Sequence, residues 1–77
     1  MVTVISRQGC SACEVAEADV ARICAELAAP WQVTDVDDDP DLRAEYGDRV
    51  PVILIDGEEH GYWQVEEDRL RAALARQ

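Results

Sequence analysis

The chain has no lysine: its seven basic side chains are all arginine, set against 17 carboxylates for a formal net charge of −10. A chain this acidic is repelled by phosphate backbones and anionic lipid surfaces, which sets nucleic-acid and membrane partners aside and leaves solubility as the plain reason for the charge. No apolar run approaches the ~20 residues that span a bilayer. The N-terminus also lacks the basic region, apolar stretch and small-residue cleavage site of a secretory leader. A cytoplasmic protein is therefore expected. Histidine is nearly absent, with His60 alone on a hairpin and expected to face solvent. Structural zinc needs four ligands, commonly in two pairs, and one cysteine pair with a distant Cys24 and His60 does not supply them. The cysteine count of three is odd, which argues against a disulfide framework. With no internal repeat, linker or low-complexity segment, the 77 residues form one domain with one small core, burying roughly 60–65% of the unfolded surface.

The segments that remain carry clear local signals. Val2-Thr3-Val4-Ile5 reads as a short buried strand. From Ser11 to about Ala29 the apolar positions Ala16, Val20, Ile23, Cys24 and Leu27 recur at helical spacing, and Pro30 ends that helix. Trp31 to Val36 alternates as a second strand, with Trp31 and Val33 on one face. Asp39 followed by Pro40 and Asp41 starts a short helix that stops at Gly47. The run Asp35-x-Asp37-x-Asp39 is no calcium loop, because Pro40 replaces the loop glycine and Tyr46 the bidentate acid. Val50 to Ile55 is the most apolar stretch and a central strand. Asp56-Gly57 turns it into a partner strand over about Glu59–Val65. A last helix begins near Glu66, with Leu70, Ala73 and Leu74 on its buried face. The order is β-α-β-α-β-β-α, an α/β class. The first two strands lie parallel through a right-handed crossover, and the last two form an antiparallel hairpin.

The chemistry concentrates at Cys10-Ser11-Ala12-Cys13, where the first strand turns into the first helix. Residues i and i+3 of a helical first turn lie on one side, with Cα atoms roughly 5–5.5 Å apart, inside the window a disulfide requires. Cys10 stands at the helix start beside unpaired peptide N–H groups, so it is the attacking thiolate; Cys13, one turn in, is the resolving thiol. Arg7 is placed to add a second positive field. Lowering a thiol pKa from ~8.5 to ~7 raises the thiolate fraction at neutral pH roughly 15-fold. Each thiolate is then about 5-fold less nucleophilic, so attack gains only about threefold. The larger effects are on the leaving group and the reduction potential. Cys24 shares a helix face with Cys13 but lies about 16 Å along the axis, and is a buried core thiol.

Pro51 is the second informative residue. A proline at the head of a buried strand cannot donate to a ladder. It fits if the Val50–Pro51 bond is cis and the backbone of Val50 faces a partner segment beside Cys10. Arg49 precedes this loop as a solvated neighbour of Asp48 that is also placed to steer an acidic segment.

Together these residues resemble the thioredoxin superfamily, and its glutaredoxin branch in particular, over nearly the whole chain. The likeness rests on the Cys10/Cys13 motif after strand one, Arg7 where glutaredoxins usually carry lysine, Val50-Pro51 as a cis-proline loop, and the element order. It is closest to short bacterial glutaredoxin-like proteins with an Asp-Val-Asp-rich segment before Val-Pro and an aromatic pair, here Tyr62-Trp63, before the last helix. The resemblance implies a thioredoxin-like fold, with a four-stranded mixed sheet flanked by helices. It also implies Cys10 as nucleophile, Cys13 as resolver, and substrate contacts at Arg7, Val50 and Pro51. Glutaredoxins that bind glutathione hold its glutamyl end with a Gly-Gly turn and a following Asp. Here Gly61-Tyr62-Trp63-Gln64-Val65 has one glycine and Val65 in place of the acid, and Ser11-Ala12 replaces the family's Pro-Tyr. Tyr62 and Trp63 either cover that site, form a protein-docking surface, or pack the hairpin on the last helix.

The reading that follows is a monomeric thiol–disulfide oxidoreductase. It acts on disulfide-containing proteins or low-molecular-weight thiols, needs an external reductant, and uses no cofactor. Two other readings stay open. One is an iron–sulfur carrier in which two subunits share a cluster through Cys10 and an external thiol. The other is a non-catalytic interaction module with idle cysteines.

Overall fold

A computed structural model describes residues 1–76. Strand β1 (Val2–Ser6) leads through a short turn into α1 (Ser11–Leu27), followed by β2 (Trp31–Asp35) and a 3-10 turn over Val36–Asp38. Helix α2 (Pro40–Tyr46), the hairpin β3 (Val52–Ile55) and β4 (Glu58–Tyr62), and α3 (Glu67–Ala75) complete the chain. The four strands form one sheet in the order β2-β1-β3-β4. β1 runs parallel to β2 and antiparallel to β3, with Val4 opposite both Val33 and Ile53; β3 and β4 are antiparallel. No helix among the described residues is long and apolar enough to cross a membrane.

Helices cover both faces, and this explains why all five β1 residues are buried. Val2, Val4 and Ile53 pack with Ala16, Val20, Ile23 and Leu70 from α1 and α3. Ile5, Val52 and Leu54 point the other way and pack with Val36 and Tyr46 around α2. The period-two alternation of β1 and β3 thus feeds two small cores. Ion pairs lace α1 to α3 at the surface: Glu67 receives Arg22 at 2.9 Å and Arg71 at 2.9 Å, and Arg71 also meets Glu26.

Several boundaries differ from the sequence expectation. α1 ends at Leu27, which is 41% exposed, because Ala28 takes a left-handed conformation (φ 53°) and Ala29 N–H closes on Cys24 O at 2.9 Å. β2 stops at Asp35, whose carboxylate accepts the Asp37 N–H at 2.9 Å and tips Val36 into the core from a 3-10 turn. Val33 sits in register with Val4 but on the edge strand, where it is 44% exposed. Asp39 caps α2 through the Asp41 N–H at 2.8 Å, as the sequence suggests. Gly47 is not left-handed (φ −56°); a Cβ there would lie 2.5 Å from Arg43 O, so space and not φ selects glycine. Asp56 (φ 51°) and Gly57 (φ 86°) make the expected hairpin turn. β4 ends at Tyr62, three residues early, and a bulge between Ile53/Gly61 and Leu54/Glu59 leaves His60 as the extra residue. His60 is half-buried and not solvent-facing: its Nε2 is enclosed without a hydrogen-bond partner, and burial pushes the imidazole pKa down.

Candidate active site

The Cys motif sits where β1 ends and α1 begins. Gly9 (φ 76°) lets the chain turn, and Cys10 becomes the N-cap of α1, in extended conformation (φ −100°, ψ 107°). Its Sγ accepts the Cys13 peptide N–H at 3.1 Å, which is the side-chain capping bond of the helix. The Cα atoms of Cys10 and Cys13 are 5.2 Å apart, and their sulfurs are joined as an internal disulfide. The two thiol positions are unequal. Cys13 is fully buried beneath the first turn, while Cys10, Ser11 and Ala12 reach the surface. Of the two, only Cys10 is open to solvent.

Pairing of β1 with β3 brings a second element to the same end of the sheet. Ile5 lies opposite Val52, so the residues just beyond β1 and just before β3 come together. The Val50–Pro51 peptide is cis, and Pro51 is buried one residue ahead of the strand, where its missing N–H costs no ladder bond. Neither the N–H nor the C=O of half-buried Val50 is taken up by a hydrogen bond among the described residues. The carbonyl of Pro51 accepts the Trp63 N–H at 2.7 Å. Trp63 is left-handed (φ 69°), 61% exposed, and packs edge-on to Tyr62 with ring centroids 4.9 Å apart. Trp63 lines a cleft of about 350 Å³ together with Ala12, Val15 and Asp19 of α1. Trp63 and Val15 are therefore surface parts of this site, which the sequence reading left open or did not single out.

The two arginines near the motif are engaged elsewhere. Arg7 donates from Nε and a terminal nitrogen to both Asp37 oxygens, at 3.0 and 3.1 Å, and from its other terminal nitrogen to Gly47 O at 3.2 Å. The bonds with Asp37 raise the guanidinium pKa and lower that of the carboxyl. Arg7 thus ties the loop carrying Cys10 to α2 and meets its counter-charge there. The acidic run that reads as a helix cap also supplies this anchor. Arg49 is not a solvated neighbour of Asp48: it lies over the rings of Tyr46 and Tyr62 and pairs with Glu59 at 3.3 Å. Cys24 is buried, and burial raises its thiol pKa. Among the described residues no group of three or more His, Cys, Asp or Glu is arranged to hold a metal ion.

Residues 1–75 match the family described as Glutaredoxin-like domain (DUF836). The chain belongs to the glutaredoxin-like family. The chain is 45% identical over 80 residues to the uncharacterized protein Rv0508 of Mycobacterium tuberculosis, covering 97% of this chain and 82% of that one. The uncharacterized protein Mb0520 of Mycobacterium bovis matches equally, at 45% identity and the same coverage. Among solved structures, the structural-genomics target protein XcR50 from X. campestris superposes with a TM-score of 0.78 at 32% identity, covering 100% of this chain and 99% of that one. Fasciola hepatica thioredoxin superposes with a TM-score of 0.63 at 24% identity, covering 97% of this chain and 77% of that one, a likeness of fold. The glutaredoxin-like chain therefore has the thioredoxin-like α/β fold, with its cysteine pair at the start of the first helix.

Proposed function

We propose that this glutaredoxin-like protein is a thiol–disulfide oxidoreductase working through Cys10 and Cys13. The observation that carries the reading is the inequality of the two sulfurs: one is accessible and held by a helix-terminal N–H, the other fully buried at bonding reach. Backbone N–H groups at a helix start stabilise a thiolate, so the exposed position is the nucleophile. The Cys10 thiolate attacks one sulfur of a substrate disulfide, forming a mixed disulfide and expelling the other sulfur as a thiolate that takes up a proton. Cys13 then loses its proton and attacks Cys10 Sγ, releasing the second substrate thiol. Two electrons and two protons pass from protein to substrate, and the internal disulfide remains. An external dithiol or thiol pool of the cytoplasm returns them.

The unpaired peptide groups of Val50 suit an extended substrate segment, which adds to the sheet end through main-chain bonds. Pro51 holds that loop, and Arg7 holds the loop of Cys10 against α2. The test is equilibration in a graded series of thiol/disulfide redox buffers, followed by intact mass. Loss of two hydrogens mapped to Cys10 and Cys13 is expected. Cys10→Ser abolishes turnover, and Cys13→Ser accumulates the mixed disulfide. Three free thiols throughout the series, or wild-type turnover by Cys10→Ser, overturns the reading.

A further inference from the structure

We infer that His60 is an acid-operated latch: taking up a proton opens the bulge of β4 against α3 and releases the hydrogen bond from Trp63 to Pro51. The latch itself stands without the oxidoreductase reading; its effect on turnover is a regulation of that proposed site and rests on it. The geometry starts at the bulge. β4 pairs Gly61 with Ile53 and Glu59 with Leu54, so His60 is the residue the ladder does not use. A bulge interrupts pairing and re-aims a side chain. The re-aimed imidazole lines two clefts between the hairpin and α3, one of about 580 Å³ shared with Glu66 and Arg69, the other of about 400 Å³ shared with Ile55 and Ala73. Glu66, Arg69 and Ala73 follow one another at spacings of three and four, which is one face of α3 and its cap. His60 is thus a joint between hairpin and helix. Three residues on, the Trp63 N–H holds Pro51 O at 2.7 Å, and β4 has already ended at Tyr62. Opening the bulge therefore loosens the connection that carries this bond.

The second observation is what the ring lacks. Among the described residues, its Nε2 is the one buried side-chain nitrogen or oxygen without a hydrogen-bond partner. A neutral imidazole keeps one nitrogen as an acceptor, and an unmet acceptor is a moderate cost. An imidazolium donates from both nitrogens and carries charge, so the enclosed Nε2 then needs an acceptor or water. The charged neighbours are engaged. On α3, Glu66 favours the proton but pairs with Arg69 at 3.4 Å, and that guanidinium opposes it. On β4, Glu59 pairs with Arg49 at 3.3 Å. At the turn, Asp56 holds the N-terminal ammonium at 2.6 Å and Glu58 is exposed, while β3 contributes the apolar Ile55. Burial first, and Arg69 after it, push the imidazole pKa below the ordinary 6.5. The closed form therefore binds the proton less tightly than an opened one. The contribution to holding the latch shut is full above 6.5 and is lost as pH falls below it.

His60 is the single histidine of the chain, so its ring signals in a proton NMR titration belong to no other residue. In the disulfide form the expected midpoint lies below 6.5, and a midpoint at or above it overturns the proposal. Amide hydrogen exchange, corrected for intrinsic rate, reads the opening. Protection of the Trp63 N–H is expected to fall about fivefold between pH values of about 7 and about 5.5, while Val4 and Ile53 in the central strands keep theirs. In His60→Gln and His60→Leu, which take up no proton there, Trp63 protection stays level; two variants are made so that one folded protein suffices. Level protection in the wild type, the same fall in a folded variant, or a fall shared equally by Val4 and Ile53 overturns the latch. Turnover of a peptide disulfide is taken as the ratio of wild type to His60→Gln, so that thiolate titration cancels. That ratio is expected to fall over the same range, and a constant ratio overturns the coupling to the site. Failure of the oxidoreductase reading is distinct: neither protein reduces the disulfide, and the exchange result alone decides the latch.

Discussion

Arg7 and Asp37, thirty residues apart, are joined by two parallel hydrogen bonds of 3.0 and 3.1 Å, and the same guanidinium reaches Gly47 O. The loop that presents Cys10 is thereby fastened to the 3-10 turn and α2. The fork of an arginine suits this two-point grip, which a lysine cannot reproduce. Arg7→Lys and Asp37→Asn are each expected to lower the thermal midpoint, and the double variant to lose less than the two added together. Melts of the three variants at low salt and at about 0.5 M salt check this, with the coupling shrinking at high salt. Strict additivity at low salt would remove the anchor.

Acid stability turns on Glu67, whose bonds with Arg22 and Arg71 hold its carboxyl at about 2 against an ordinary 4.5. The folded state therefore binds this proton less tightly than the unfolded state. The contribution is full above 4.5 and is lost as pH falls towards 2. Glu67→Gln is expected to flatten the acid limb of a stability–pH profile across that window and to leave the shape above it unchanged. Urea midpoints measured across the window read the slope. An unchanged acid limb in the variant contradicts the assignment.

Two positions should show reversed preferences between glycine and alanine. Ala28 is left-handed at the end of α1, where an L side chain costs about 1–2 kcal/mol and glycine costs little. Ala28→Gly is expected to stabilise by up to about 1 kcal/mol once the greater entropy lost by glycine is subtracted. Gly47 has ordinary helical angles, where alanine usually wins. Its added Cβ would nevertheless lie 2.5 Å from Arg43 O, so Gly47→Ala is expected to destabilise. Denaturant midpoints of the pair test both signs at once.

Leu70 is the fully buried residue of α3 and seats that helix against α1 and the sheet. Leu70→Ala should cost about 2–5 kcal/mol. That is a large share of the roughly 5–10 kcal/mol a small domain possesses. Loss of helical circular dichroism well below the wild-type melting temperature is the expected sign. A midpoint within a degree or two of wild type would mean that α3 does not depend on this contact.

Most of the fold was legible because its signals are local. The β-branched run Val2–Ile5, the spacing of Ala16, Val20 and Ile23, the Asp39-Pro40 start and the Asp56-Gly57 turn each report on neighbours in sequence. The cysteine pair was legible for the same reason, since one helical turn sets its spacing. The misplaced details depend on contacts between distant segments. Val33 shares a strand face with Trp31, and only the sheet order shows that this strand is an edge, which leaves Val33 44% exposed. His60 looks solvent-facing until a bulge in β4 turns it inward. Arg7 looks like a cation beside a thiol until Asp37 comes to meet it.

By itself the amino-acid order determined the element sequence, the helix-start placement of Cys10 and Cys13, and the turn that makes the hairpin. Those depend on backbone preferences and apolar spacing over a few residues. Only the tertiary structure decided that β1 lies at the centre of the sheet, that Pro51 and Trp63 share a hydrogen bond, and that the arginines near the cysteines are already paired. The physical reason is that charge pairing and strand order are chosen by which surfaces meet when the two cores form. No residue's own neighbours in sequence carry that choice.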